Sequence, residues 1–226
     1  MELYHVLNRG VDKRDIFLDS QDYVRFVHNL YEFNDTKFIG SSRRGNMSDF
    51  VSPTSVSKHE RERLVDVHGW VLMKNHYHLL LSERVEGGLS LFLRKLNVGY
   101  AKYFNEKYER VGTLFQGRTK KVLVERDAQF LYILHYIHLN PLDYLEQARG
   151  WRIRDKGTFA GVKEAMEFLE SYRWSSYLDY TKIKNFPSVL TTRLFRNKDV
   201  FTDYGKAVSS YLKDVEFEKV SGITLE

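Results

Sequence analysis

The stretch from Val71 to Leu81 constrains the fold more than any other part of this chain. It is apolar on both sides of a single polar dipeptide, Lys74-Asn75. A tight turn there would join two strands, Leu64 to Met73 and His76 to Ser82, in an antiparallel hairpin. Side chains alternate across a strand, so His76 and His78 project from one face while Tyr77, Leu79 and Leu81 point the other way, into a core. Two residues of rise put the imidazoles ~6–7 Å apart at Cβ, close enough to share one metal ion. The same pair also has a plain structural reading, as hydrogen-bonded groups half buried in a sheet. What the rest of the chain brings to the pair decides between the two readings.

The flanking pattern supplies a sheet for the hairpin to join. Leu3 to Arg9 reads as a first strand, closed by Gly10. Asp19-Ser20 offers a helix cap with Asp22 in the first turn, and Tyr23, Phe26, Val27, Leu30 and Tyr31 follow at helical spacing to about Phe33. Beyond the hairpin, Gly87-Gly88 breaks the chain before a helix capped near Ser90, whose apolar stripe is Phe92, Leu93, Leu96, Tyr100, Tyr103 and Phe104. Thr119 to Glu125 reads as a fourth strand. Asp127 then caps a helix, Ala128 to Leu139, which Asn140-Pro141 ends. Strand, helix, strand, strand, helix, strand is the order of a ferredoxin-like βαββαβ antiparallel sheet with its helices on one face, an α+β fold.

Two segments fall outside that core. Residues 34–63 lose all periodicity and read as a loop insertion, with Arg43 and Arg44 as charges that could meet nucleic acid. After residue 145 the chain reads as a helical C-terminal extension, with helices around Gly161 to Tyr172 and Thr202 to Asp214. The expected organisation is a catalytic domain over 1–145 and this extension over 146–226.

Composition narrows the chemistry. The chain has no cysteine, which excludes disulfides and thiolate metal sites and makes the cytoplasm the expected compartment. No run approaches the ~20 apolar residues of a membrane span, and the N-terminus carries no basic-then-apolar export signal. The net charge is +5, yet Arg94, Lys95, Lys102, Lys107, Arg110, Arg118, Lys120 and Lys121 face only Glu106 and Glu109 between residues 94 and 124. Interleaved with Tyr100, Tyr103, Phe104, Tyr108 and Phe115, these cations suit a nucleic-acid backbone with stacked bases, or a solvated helix face over packed aromatics. In the last helix of the core, Tyr132, Tyr136 and Asn140 recur every four residues and share one face.

Four stretches taken together resemble one family. They are Tyr4-His5-Val6-Leu7-Asn8-Arg9-Gly10, Val71 to Leu81 with His76-Tyr77-His78, Gly112-Thr113-Leu114-Phe115-Gln116-Gly117-Arg118, and His135-Tyr136-Ile137-His138-Leu139-Asn140-Pro141. Trp174-Ser175-Ser176-Tyr177 follows. In this order, over residues 1 to about 180, the chain resembles the single-tyrosine transposases of the HUH superfamily, in particular the branch associated with REP palindromes. Lys74 departs from the pattern, which often has proline there.

The resemblance implies that His76 and His78 bind a divalent cation, Mg²⁺ or Mn²⁺, that Asn140 supplies a third ligand, and that Tyr136 is the nucleophile. Tyr132 is the rival nucleophile, His68 is expected to be structural, and His135 and His138 are expected to serve packing or phosphate contact and not ligation. It implies DNA transposition by cleavage and rejoining of single-stranded or hairpin DNA through a 5′-phosphotyrosine. Arg94, Lys95, Lys102, Arg118, Lys120 and Lys121 are the expected DNA contacts. No membrane is involved, and the chain would act as a monomer or homodimer. Two alternatives remain open here: a catalytically idle nucleic-acid-binding module, which would need none of the histidines, tyrosine or asparagine, and a replication-initiator-like nuclease on the same fold.

Overall fold

The computed structural model describes residues 1–37, 61–125, 127–152, 161–196 and 203–213. Most of the expected 34–63 loop, with Arg43 and Arg44, lies outside the described residues.

Four strands form one antiparallel sheet: β1 (Leu3–Arg9), β2 (Val65–Met73), β3 (His76–Glu83) and β4 (Lys120–Leu123). Their order is β2-β3-β1-β4, the arrangement that βαββαβ chains reach when each helix crosses over to return the chain beside a non-adjacent strand. The fold is therefore α+β, as the element order implies. Lys74 and Asn75 form the turn of the β2–β3 hairpin, which pairs Met73 with His76.

The two crossover helices, α1 (Ser20–Glu32) and α2 (Gly88–Lys107), pack on one face. Tyr23, Phe26, Val27 and Leu30 of α1 and Phe92, Leu93, Leu96, Tyr100 and Phe104 of α2 meet Val6, Tyr77, Leu79 and Leu81 of the sheet there. The start of α1 is fixed as the sequence suggests: Asp19 accepts from the Asp22 amide, and Asp22 reciprocates at the Asp19 amide, closing a capping box. The start of α2 differs from expectation. It begins at Gly88 rather than at a Ser90 cap: Gly87 turns the chain at φ +71°, and the Leu89 amide is met by Glu83 Oε1 at 3.0 Å, an acceptor from the end of β3.

The opposite face is covered by α3 (Asp127–Leu139) and by everything after it. Leu134 and Ile137 share one buried cluster with Val71 and Leu80 of the sheet and with Ala165 and Leu169 of α4 (Val162–Ser171), Tyr177 of α5 (Tyr177–Tyr180), and Tyr204 and Val208 of α7 (Tyr204–Lys213); α6 (Arg193–Arg196) lies between the last two. Residues after 145 thus help to build the core under α3. The link is also polar. Buried His138 bonds through Nδ1 to the Tyr204 hydroxyl at 2.7 Å and through Nε2 to Ser176 Oγ at 2.7 Å, while Ser176 Oγ accepts from the Trp70 amide of β2 at 2.9 Å. Along the outer edge of β2, the Leu72 amide donates to Trp174 O and the Ser176 amide to Trp70 O. This edge is therefore not left as an unpaired ladder.

Candidate active site

The β1–β3 register decides which side chains share the face of the histidine pair. Arg9 lies opposite His76, Leu7 opposite His78 and His5 opposite Leu80. Directly opposed residues project to the same side, so His5, Leu7 and Arg9 join His76 and His78 on the α3 face. The β1–β4 register adds Lys120 opposite Leu7 and Val122 opposite His5.

His76 and His78 stand side by side as the spacing predicts, with ring centroids 5.0 Å apart and planes at 86°. His76 Nδ1 lies 2.6 Å from Asn75 Oδ1, and the Asn75 amide nitrogen donates to Lys13 O at 3.2 Å. That second bond orients the amide so that its oxygen faces the ring, and His76 therefore donates from Nδ1. His78 is buried, with Nδ1 2.9 Å from His5 Nε2 and the two rings stacked at 5.1 Å and 8°. Nε2 of His78 and Nδ1 of His5 are buried with no hydrogen-bond partner. Burial pushes the pKa of His5 down to about 3. It also drives His78 well below the usual imidazole value, helped by the charges of His5, His76 and Arg152. Both rings are neutral at pH 7, the state in which an imidazole can bind a cation.

Tyr136 is delivered to this spot from α3. Its ring stands edge-on to His78, at 5.8 Å and 88°, and to His5, at 5.8 Å and 82°. Arg152 lies over the same ring, with Cζ 5.1 Å from the centroid, and hydrogen-bonds its side chain. Arg152 donates as well to Asn140 Oδ1 at 2.8 Å and to Asp143 Oδ2 at 2.7 Å. Burial opposes the guanidinium charge, but the bonds to Asp143 and Tyr136 outweigh it and raise the pKa of Arg152. Asn140 is buried one turn after Tyr136, and its Nδ2 donates to the Tyr136 carbonyl at 2.7 Å. A phenol, a guanidinium and two neutral imidazoles thus converge, each imidazole with one buried ring nitrogen that has no hydrogen-bond partner. This set can place a nucleophilic oxygen beside a bound cation.

The donor set fits a divalent ion at the two imidazoles, on the evidence of the unpartnered, buried His78 Nε2 and the Asn75 bond that leaves His76 Nε2 unprotonated. Asn140 offers an amide oxygen on the same face as Tyr136, shared here with Arg152. Among the described residues, no three His, Cys, Asp or Glu side chains gather as a metal-binding group, so a third ligand drawn from these residues would be an amide, a hydroxyl or a carbonyl.

The remaining candidates separate. Tyr132, half buried, packs on Tyr136, one helical turn later on α3, and on Tyr211. His68 bonds to Ser82 Oγ at 2.8 Å and Thr191 O at 3.1 Å, and His135 and His138 bond to Tyr204; these three act in packing. Strand alternation splits Lys120 from Lys121: Lys120 shares the histidine face, whereas Lys121 turns away and donates to Ser90 Oγ at 3.3 Å. Arg94, Lys95 and Lys102 ride on α2, across the sheet from the imidazoles, and Lys95 donates to Asp35 O at 2.7 Å. Arg118 is exposed just before β4.

Sequence reading alone passed over three side chains in or beside this site. His5 and Arg9 were detectable from the alternation of β1 once β1 was paired with β3. Arg152 follows the 3-10 turns after α3, where no periodicity marks which side chain returns to the sheet.

No protein-family model matches the chain, and no curated protein matches it. Among solved structures, that of a REP-associated tyrosine transposase bound to a REP hairpin aligns over 84% of this chain and 85% of its own, with 10% sequence identity and a TM-score of 0.46. At that distance, residue roles do not transfer from one protein to the other.

Proposed function

We propose that this chain is a single-tyrosine DNA transposase, a nuclease and strand transferase acting on hairpin-forming single-stranded DNA. The observation that carries the reading is the meeting of Tyr136 with His78 and His5. A phenol from a helix some sixty residues downstream of the histidine pair is set edge-on against the very imidazole whose Nε2 is unpartnered.

His76 and His78 would hold a Mg²⁺ or Mn²⁺ ion through Nε2, with the Asn140 amide oxygen as third ligand once it is shared with or released by Arg152. When bound, the ion polarises the scissile phosphate and offsets charge in the transition state. The chain's own groups do the rest. Tyr136 Oη attacks phosphorus, forming a phosphotyrosine at the 5′ side, while the bond to the departing 3′ oxygen breaks and that oxygen takes up a proton. The phenol proton leaves to solvent or a neighbouring base. Arg152, hydrogen-bonded to Tyr136, favours negative charge on the phenol oxygen and orients it. A second 3′-hydroxyl attacking the phosphotyrosine reverses the step and joins a new strand.

Lys120, on the histidine face, and exposed Arg118 beside it would meet the phosphates nearest the cleavage point. Arg94, Lys95, Lys102 and Lys121 would meet a longer strand or duplex stem passing round the sheet edge, Lys95 and Lys121 by exchanging their bonds to Asp35 and Ser90. The described residues include no helix long and apolar enough to cross a membrane.

The test is incubation of the chain with a panel of single-stranded palindromes and Mn²⁺, scored for a covalent protein–DNA adduct on a denaturing gel. The expected result is a metal-dependent adduct lost on chelation. Salt-sensitive hairpin binding with no nicking under Mg²⁺ or Mn²⁺ would instead identify a non-catalytic binding module.

A further inference from the structure

We infer that His5 is a positioning residue for the cation site: its Nε2 accepts from His78 Nδ1–H and so keeps the lone pair of His78 on Nε2, aimed at the cation. The inference rests on the proposed function, since it concerns how one of the proposed ligands is held.

The structure holds the two proposed ligands in the same way by different means. At His76, the acceptor is Asn75 Oδ1, itself fixed by the Asn75 bond to Lys13 O. The proton sits on Nδ1 and Nε2 is bare. At His78, the atom facing Nδ1 is another imidazole nitrogen, His5 Nε2, at 2.9 Å. A neutral imidazole has one donor and one acceptor nitrogen, so this single contact sets both rings at once. If His5 accepts, His78 carries its proton on Nδ1 and presents a bare Nε2, matching His76. Either arrangement leaves one buried N–H without an acceptor, at His5 Nδ1 if His5 accepts and at His78 Nε2 if His5 donates, so hydrogen bonding alone does not separate them; only the first leaves His78 Nε2 a lone pair with which the pair of imidazoles can share an ion.

The placement of His5 makes it suited to this role and unsuited to ligation. It lies diagonal to His78 across the β1–β3 ladder, and the two ring planes, 8° apart with centroids 5.1 Å apart and nitrogens 2.9 Å apart, place the Nε2–Nδ1 contact in the plane of both rings. With that contact made, His5 Nε2 is turned toward the ring of His78 and not toward the space before His78 Nε2. Tyr136 closes the back of the stack, edge-on to both rings. Removing an outer partner of a metal-binding histidine typically costs ~10–100-fold in metal affinity.

Two measurements on the full chain test this. The first is ¹⁵N–¹H NMR of the histidine side chains without metal, with His78→Gln used to assign the His78 signals; His78 is expected as the Nδ1–H tautomer. The Nε2–H tautomer would overturn the inference. The second is calorimetric titration with Mn²⁺ of wild type, His5→Gln and His5→Leu, each checked for folding by circular dichroism. The glutamine side-chain oxygen can stand where His5 Nε2 stands, so His5→Gln should bind within about 3-fold of wild type, whereas His5→Leu should bind ~10–100-fold more weakly. Equal binding by wild type and folded His5→Leu would overturn it. If wild type binds no Mn²⁺, the proposed cation site fails while the tautomer still decides the role of His5. If His5→Leu does not fold, the wild-type spectrum and the His5→Gln titration remain as the test.

Discussion

The ring of Tyr136 stands at 88° to that of His78, 5.8 Å between centroids, with the guanidinium of Arg152 over the phenol ring, Cζ 5.1 Å from its centroid. The phenol is buried, yet it is held by polar groups and not sealed in hydrocarbon. That relationship makes Tyr136 and Tyr132 distinguishable. Tyr136→Phe should reduce covalent adduct formation to background, a loss of at least about 10³-fold, as expected when a nucleophile is removed. Tyr132→Phe should leave adduct within a few-fold of wild type. A gel-shift of labelled hairpin DNA under denaturing conditions measures both.

Arg152 connects Tyr136, Asn140 and Asp143 through one planar fork. A lysine at that position keeps the charge but cannot reach three partners with fixed geometry. Arg152→Lys should therefore lower the single-turnover cleavage rate by ~10-fold or more while leaving hairpin affinity nearly unchanged, and Arg152→Met should lower it further. Quenched-flow cleavage paired with a binding isotherm separates the two effects.

Ser176 receives the Trp70 amide and meets His138 Nε2 inside the protein. Ser176→Ala leaves both buried groups unsatisfied, so urea unfolding should report a loss of about 2–6 kcal/mol, two such groups at ~1–3 kcal/mol each. Mn²⁺ affinity, by contrast, should stay near wild type at a temperature where the variant is folded.

His68 titrates with a sign that can be worked out in advance. Burial lowers its pKa, against smaller opposing effects of the Thr191 carbonyl and Asp66. Folding thus holds it neutral at a pH where the unfolded chain, with an ordinary value near ~6.5, is protonated. Its contribution to stability is complete above about pH 6.5 and is lost as pH falls below that, at no more than ~1.4 kcal/mol per pH unit. His68→Gln should be less stable than wild type at pH 8 by roughly 1–2 kcal/mol for the lost hydrogen bonds to Ser82 and Thr191, with the gap narrowing toward pH 5. Denaturation curves of both proteins across that range measure the difference in slope.

Local signals carried most of the fold into the sequence. The span of β1, the Asp19–Asp22 capping box and the Lys74-Asn75 turn each depend on residues a few positions apart, and all three stand where the pattern places them. The α2 start lies earlier than Ser90 because the oxygen that meets its Leu89 amide comes from Glu83, on the preceding strand, where a search for a capping residue next to the helix does not look. Near the candidate site, spacing on one strand was enough to put His76 and His78 on one face; spacing on the helix put Tyr132, Tyr136 and Asn140 on another, and only the family resemblance singled out Tyr136 among them. His5 needed the pairing of two strands separated by a helix and a loop. The cluster of cations between residues 94 and 124 looks continuous in the chain, but helix placement and strand alternation distribute it over both sides of the sheet.

The bonds that His138 makes to Ser176 and Tyr204 bear on how this tyrosine could ever change places. A helix tied to its own chain at two later points is a poor object to lend to another copy. Trading α3 between two molecules would mean carrying the Trp174–Tyr180 run and α7 across with it, or unmaking a dry polar knot in each. If the chain cuts DNA as proposed, the expectation is therefore that each copy uses its own phenol, even where two copies sit on one piece of DNA.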